Sequence, residues 1–255
     1  MTPPVRVSVI GIGCGSPDHL TLQAVRALGS LDVVVLTDKR RGDDPLVHVR
    51  ERMLAEHVAG VQTVVVHDPP RERRAEHVGD QRSYERAVED WHDARASAYA
   101  DALAPYRGRQ VGFLVWGDPA FYDSTLRILG RVAAAGLPLD IEVVPGVSAV
   151  QLLAARHRLV LNDIGAPITV TTGRRLAEEA DRGTDNIVVM LNRSLDAVEL
   201  GDDWHIWWGA NLGTAHESLL SGDLRTTAPQ IDGERNRVRA AAGWVMDVYL
   251  LRRRA

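Results

Sequence analysis

The chain has 255 residues, enough for two domains of ordinary size, and its 45% apolar and 25% charged residues are the balance of a globular protein. No run approaches the ~18 consecutive apolar residues that a bilayer-spanning helix needs. Thirty Lys and Arg against 34 Asp and Glu give a formal net charge of −4, which argues against a general nucleic-acid binder with its basic surplus.

Met1-Thr2-Pro3-Pro4 leads straight into Val5-Arg6-Val7-Ser8-Val9-Ile10 with no charged segment, long apolar stretch or cleavage site. No signal peptide is read there, and a cytoplasmic protein is expected. Val5–Ile12 is rich in β-branched residues and ends in glycines, as a strand buried on both faces does. Asp18–Leu28 predicts a helix with Leu20, Ala24, Ala27 and Leu28 on one face, Ser16 or Asp18 as its cap and Gly29 as its end. Leu31–Leu36 and Val61–Val66 read as further buried strands, with Pro45–His57 the crossover helix between them. This βαβαβ rhythm means a parallel sheet with helices on both faces.

Arg71–Tyr106 begins dense in Arg, Glu and Asp, then sets Tyr84, Val88, Trp91, Ala98 and Ala102 on a helical face, predicting one long charged helix. Gln110–Trp116 is the next strand, Ser124–Ala135 a helix, and Ile141–Val144 a strand ending at Pro145-Gly146. Beyond it the texture changes. Ile168–Thr172, Asn186–Leu191, Trp204–Trp208 and Trp244–Leu251 read as strands separated by shorter helices and more turns. The chain is therefore divided into an N-terminal α/β domain, residues 1–147, and a C-terminal α/β domain, residues 148–255. In the third of these strands the reading sets Trp208 with Ile206 on one face and Trp204 with Trp207 on the other. Core packing, a subunit interface and a platform for a flat ligand are the available roles.

Three turns at strand ends carry the chemistry. Gly11-Ile12-Gly13-Cys14-Gly15-Ser16 lets backbone approach a ligand closely and leads toward a helix N-terminus that favours an anion. Taken alone it fits a dinucleotide fold, with Asp38 available to a ribose, or a purely structural tight turn. Ser16 stands where the third glycine of that fingerprint belongs. The others are Trp116-Gly117-Asp118-Pro119-Ala120-Phe121-Tyr122-Asp123 and Val144-Pro145-Gly146-Val147-Ser148-Ala149. Ligands of open α/β sheets bind at such edges, so three turns of this kind are expected to meet in one crevice. No H-E-x-x-H, paired C-x-x-C or G-x-S-x-G string occurs, and no metal site is expected. The single cysteine, Cys14, excludes an internal disulfide framework and reads as a small buried residue rather than a nucleophile.

In order and spacing these turns resemble the tetrapyrrole methylase family, whose members methylate ring carbons of cobalamin and sirohaem precursors. The resemblance extends through Asn186–Leu191 and Gly209–Leu224. It is closest to the branch that methylates precorrin-5 at ring carbon 1 with loss of acetate. That closer match is carried by Gly11–Gly15, Val115–Pro119, Tyr122–Leu129, Ala154–Arg158, Thr171–Leu176 and Trp208–Ala210. Many members have Gly-Pro-Gly-Asp where this chain has Gly13-Cys14-Gly15-Ser16, so roles of that proline and acid do not transfer.

The resemblance implies a Rossmann-like N-terminal domain with a parallel sheet, a mixed-sheet C-terminal domain and S-adenosylmethionine in the cleft between them, leaving as S-adenosylhomocysteine. It implies donor contacts from Gly13, Cys14, Trp116, Gly117, Asp118, Phe121, Ser148, Ala149, Leu191 and Leu212, and a homodimer. Methyl transfer from a sulfonium needs alignment more than acid–base help. Acetate release asks for a proton-transfer group, and Asp118, Tyr122 and His157 are the candidates, with Asp38 and Asp123 nearby in the pattern. Lys39 is the only lysine, every other cation being arginine. Arginine forks suit a tetrapyrrole bearing many carboxylates, and Lys39, Arg156, Arg158, Arg174 and Arg175 are the candidate partners. The same residues also suit solvated surface ion pairs. Methylation of RNA or protein by the same fold, a nicotinamide-dependent dehydrogenase and a non-catalytic ligand binder are the alternatives.

Overall fold

The computed structural model describes residues 2–38, 45–58, 60–69, 81–192, 194–195, 197 and 200–254. Two compact units emerge, Met1–Gly13 with Pro17–Gly146 and Cys14–Ser16 with Val147–Ala255.

The first unit is a five-stranded parallel sheet of β1 (Val5–Gly11), β2 (Val33–Asp38), β3 (Gln62–His67), β4 (Gln110–Val115) and β5 (Leu139–Val144), in the order β3-β2-β4-β1-β5. Helices α1 (Leu22–Gly29), α2 (Pro45–His57), α3 (Gln81–Leu103) and α4 (Thr125–Ala134) connect the strands. Alternation along the strands feeds two cores. Val5, Val7, Val9, Val111, Phe113 and Val115 pack with Tyr99 and Leu103 of α3 and Ile128 and Leu129 of α4. Ile10, Ile12, Val34, Leu36 and Leu114 pack with Ala24 and Leu28 of α1 and Met53 and Leu54 of α2. Each fully buried aliphatic side chain contributes about 1.5–3 kcal/mol, so the sheet is held from both faces.

α1 departs from its predicted start. Pro17–His19 forms a 3-10 turn, and the cap is Thr21, whose hydroxyl accepts the Ala24 amide at 3.0 Å. Neither Ser16 nor Asp18 begins the helix, because Pro17 sets a tight turn of its own first.

The second unit is a mixed sheet of β6 (Thr169–Thr172), β7 (Asn186–Met190), β8 (Trp204–Ala210), β9 (Ser218–Asp223) and β10 (Asp247–Arg253), in the order β6-β7-β10-β8-β9. Only β6 and β7 are parallel. Helices α5 (Ala149–His157), α6 (Leu176–Asp181) and α7 (Leu224–Ala242) complete it. α7 is a long helix where short ones were expected, despite Pro229 inside it. Its buried stripe, Leu224, Thr227, Ala228, Ile231, Arg235 and Val238, keeps helical spacing against β8 and β10.

On β8 the face assignment differs from the expectation. Trp204, Ile206 and Trp208 share the core face, while Trp207 lies on the other with His205, their rings 4.2 Å apart. Strict period-two alternation requires this, since Trp204 and Trp208 are four apart. Beneath Trp208, Asp247 accepts its indole N–H at 2.8 Å and pairs with Arg235, both charges buried.

Candidate functional site

In an open parallel sheet, a ligand crevice forms where neighbouring strands leave in opposite directions. Here that point lies between β1 and β4, since the chain winds outward from β1 through β2 to β3, then returns through β4 to reach β5 on the far side. The turns after β1, β4 and β5 meet at this place. Gly13 and Gly117 exchange backbone hydrogen bonds, Gly13 N–H to Gly117 O at 3.2 Å and Gly117 N–H to Gly13 O at 2.8 Å. Asp118 then ties in the third turn: its Oδ2 accepts the Gly146 amide at 2.8 Å, and its Oδ1 accepts that of Ala120 at 2.7 Å.

Glycine is needed for this approach. A Cβ on Gly146 would lie 2.3 Å from the Gly117 carbonyl oxygen, and one on Gly11 would lie 2.6 Å from the Gly146 nitrogen.

The far end of the β4 turn is fixed as well. Asp123 Oδ1 accepts the Thr125 amide at 2.7 Å at the start of α4. The buried Arg95 of α3 donates to Ser124 Oγ at 2.7 Å, to Asp68 Oδ1 at 2.8 Å and to the Tyr99 hydroxyl at 3.0 Å. Between these anchors Tyr122 holds a left-handed backbone, φ 51°, and is 42% exposed. A bulky residue there stores strain, a feature that clusters at functional sites. Trp116 and Phe121 are half-buried in the same turn.

In the second unit, Cys14 is buried and donates its S–H to the Val147 carbonyl, with 3.6 Å between the heavy atoms. Burial pushes its thiol up to about 12, so no thiolate forms at neutral pH. Ser148 caps α5: its hydroxyl accepts the Gln151 amide at 3.3 Å while Gln151 Oε1 accepts the Ser148 amide at 2.8 Å. Ala149 opens the helix. His157 lies 3.0 Å, through Nε2, from the Trp208 carbonyl, which can only accept, so that nitrogen carries the proton.

Leu191 and Leu212 fall at one end of the second sheet, just past β7 and β8. Leu191 is left-handed, φ 57°, and 61% exposed, whereas Leu212 is buried behind the left-handed Asn211.

The candidate cations are dispersed in their bonding. Arg156 pairs with Glu217 at 2.7 Å, and Arg175 reaches Glu178 at 3.3 Å and Glu179 at 3.4 Å. Arg158 is the exposed left-handed residue ending α5, and Arg174 is exposed in the turn after β6. Lys39 lies outside the described residues. Asp38, at the end of β2, is buried with one carboxylate oxygen 3.4 Å from His67. Among the described residues no group of three His, Cys, Asp or Glu could hold a metal ion, and no helix is long and apolar enough to cross a membrane.

Sequence reasoning missed Arg95, Asn192 and Asn211. A lone arginine in a charged helix carries no signal until Asp68 and Ser124 are seen beside it. Asn211 stands directly after β8, where a left-handed asparagine is common, and that is its local clue; Asn192 follows the left-handed Leu191 and has no such signal.

Residues 6–228 match the family model described as Tetrapyrrole (Corrin/Porphyrin) Methylases. The chain belongs to this family and is an S-adenosylmethionine-dependent methyltransferase. It is 39% identical, over 98% of its own length and 96% of the relative's, to a precorrin-6A synthase (deacetylating) of Sinorhizobium sp. It is 30% identical, over 72% of each chain, to the cobalt-precorrin-2 C(20)-methyltransferase of Salmonella typhimurium. Among solved structures, a cobalamin synthesis related protein (CobF) from Corynebacterium diphtheriae superposes with a TM-score of 0.83 at 35% identity, covering 98% of this chain and 100% of that one.

Proposed function

We propose that this chain is a precorrin-6A synthase of the deacetylating type, an enzyme of cobalamin biosynthesis that methylates precorrin-5 at ring carbon 1 and releases acetate. The substrate reading is carried by the 39% identity to the Sinorhizobium enzyme over nearly the whole of both chains. The donor reading is supported by the junction of Gly13, Gly117, Asp118 and Gly146 at the sheet's switch point.

The donor contacts proposed are Gly13, Cys14, Trp116, Gly117, Asp118 and Phe121, together with Ser148, Ala149, Leu191 and Leu212. As a chemical set they fit S-adenosylmethionine. They hold aromatic rings, backbone groups and one carboxylate, and no fixed cation that would repel a sulfonium. When bound, the donor supplies an activated methyl whose C–S bond breaks to leave a neutral thioether. The chain's own task is alignment and exclusion of water. A thiolate in this turn would itself accept the methyl, and burial of Cys14 keeps it a thiol.

Of the three proposed catalytic residues, Asp118 has both oxygens engaged by amides and His157 has Nε2–H committed to a carbonyl. They serve as positioning residues. Tyr122, exposed and strained, is the residue proposed to act by hydrogen bond on the acetyl group, whose attack by water releases acetate and leaves the bond's electrons with the ring. Lys39, Arg156, Arg158, Arg174 and Arg175 are proposed to meet the acidic side arms, with Arg156 and Arg175 first parting from Glu217, Glu178 and Glu179. A cytoplasmic homodimer is proposed on the resemblance, and light scattering tests the dimer.

Incubation with precorrin-5 and methyl-labelled donor tests the activity. Incorporation of label with an equivalent of acetate is expected. Methylation without acetate removes the deacetylating assignment, and turnover of precorrin-2 in its place moves the chain to the C(20) branch.

A further inference from the structure

The family match ends at residue 228, yet the segment that organises one end of the second sheet lies beyond it. β7 and β8 both run antiparallel to β10, which lies between them, so their C-terminal ends flank the start of β10. Just past each end the chain turns through a left-handed residue other than glycine, Leu191 at φ 57° and Asn211 at φ 46°.

Both turns are tied to the same four residues, Trp244–Asp247. Asn211 donates its backbone N–H to the Met246 carbonyl at 2.8 Å, accepts the Met246 amide on Oδ1 at 2.8 Å and donates Nδ2–H to the Trp244 carbonyl at 3.2 Å. Asn192 donates Nδ2–H to the Asp247 carbonyl at 3.3 Å. The segment is itself fixed from below, where the buried Asp247 carboxylate holds Trp208 and Arg235. Two left-handed turns at one sheet end would otherwise be free to relax toward ordinary backbone.

We propose that Trp244–Asp247 is a strut that sets the two turns bearing Leu191 and Leu212, with Asn211 and Asn192 as positioning residues for donor binding. This rests on the reading of Leu191 and Leu212 as donor contacts. The strut fixes the two leucines relative to each other before the donor arrives, so its loss lowers donor affinity rather than the rate of the bound complex.

The test uses Asn211→Gly, which accepts the same φ but removes the side-chain amide, and Asn192→Ala, with Leu212→Ala as reference. Calorimetric Kd for S-adenosylhomocysteine, KM for the donor, kcat and Tm are measured on the full chain. For Asn211→Gly, loss of two hydrogen bonds predicts a Kd and donor KM raised about tenfold with kcat changed less than about twofold. Asn192→Ala is expected to raise Kd about threefold through one such bond. A lowered Tm with unchanged Kd and KM in both asparagine variants, while Leu212→Ala weakens binding, overturns the strut and leaves the donor reading standing. If Leu212→Ala also binds as the unaltered chain does, or if the unaltered chain binds no S-adenosylhomocysteine, the donor reading fails and the strut falls with it.

Discussion

Asp118 and Gly146 are joined by a hydrogen bond of 2.8 Å from the Gly146 amide to the Asp118 carboxylate, across two turns that leave different strands of one sheet. The other carboxylate oxygen accepts the Ala120 amide, so the side chain closes its own turn while holding its neighbour. A Gly-Asp-Pro turn is therefore more than a bend here. It fixes the separation of β4 and β5 at their C-terminal ends.

Asp118→Ala removes both ties at once, each worth about 1.5–3 kcal/mol to a charged acceptor. The expected result is a Kd for S-adenosylhomocysteine raised at least about tenfold, in a chain whose far-UV circular dichroism is unchanged. Asp118→Asn keeps one good acceptor and should lie between. Titration calorimetry decides, and equal affinity in all three would detach Asp118 from the donor.

Two glycine substitutions should move stability in opposite directions. Gly146→Ala forces a methyl to within 2.3 Å of the Gly117 oxygen, with no flexible neighbour to yield. A loss of about 3 kcal/mol is expected, the upper range for overpacking. Gly130→Ala, inside α4 with nothing within 4 Å of the new carbon, should instead add about 0.5–1 kcal/mol. Urea denaturation of the two variants measures both.

Removing Arg95 leaves the buried Asp68 carboxylate uncompensated and frees Ser124 at the start of α4. Arg95→Met should cost about 3–5 kcal/mol, the usual penalty for stranding one member of a buried pair. The double variant with Asp68→Asn should recover part of that loss. A double variant no more stable than Arg95→Met alone would show that the pair is not the source of the penalty.

Much of the first unit is legible in the sequence because parallel strands buried on both faces, such as Val5–Gly11 and Val33–Asp38, are nearly continuous apolar runs. The turns that follow β1, β4 and β5 announce themselves through Gly and Pro. α7 hides for the opposite reason. Pro229 and Gly233 interrupt its pattern, and its buried face includes the charged Arg235, which is paired with Asp247. The distant partners are also invisible, Gly146 for Asp118, Asp68 and Ser124 for Arg95, and Trp244 and Met246 for Asn211, because only the folded chain brings them close.

Cys14 gives stability a dependence on alkaline pH. Below about pH 9 the thiol is neutral whether the chain is folded or unfolded. Between the ordinary thiol value of 9.0 and its native value of about 12, only the unfolded chain loses the proton, so stability falls as pH rises. The slope from this group is about 1.4 kcal/mol per pH unit. Comparing the unaltered chain with Cys14→Ala by urea denaturation at pH 8 and pH 10.5 isolates it, and a difference that stays constant between the two would rule the thiol out as its cause.

Strand order also bears on how the chain is made. β1 pairs only with β4 and β5, although it is synthesised first. On the ribosome Val5–Gly11 emerges as a strand apolar on both sides and must wait until Gln110–Val115 has been translated before either edge is covered. A nascent chain stalled before that point exposes an unsatisfied, aggregation-prone edge, and the glycine-bearing first turn cannot take its shape until Gly117 has been added to pair with Gly13.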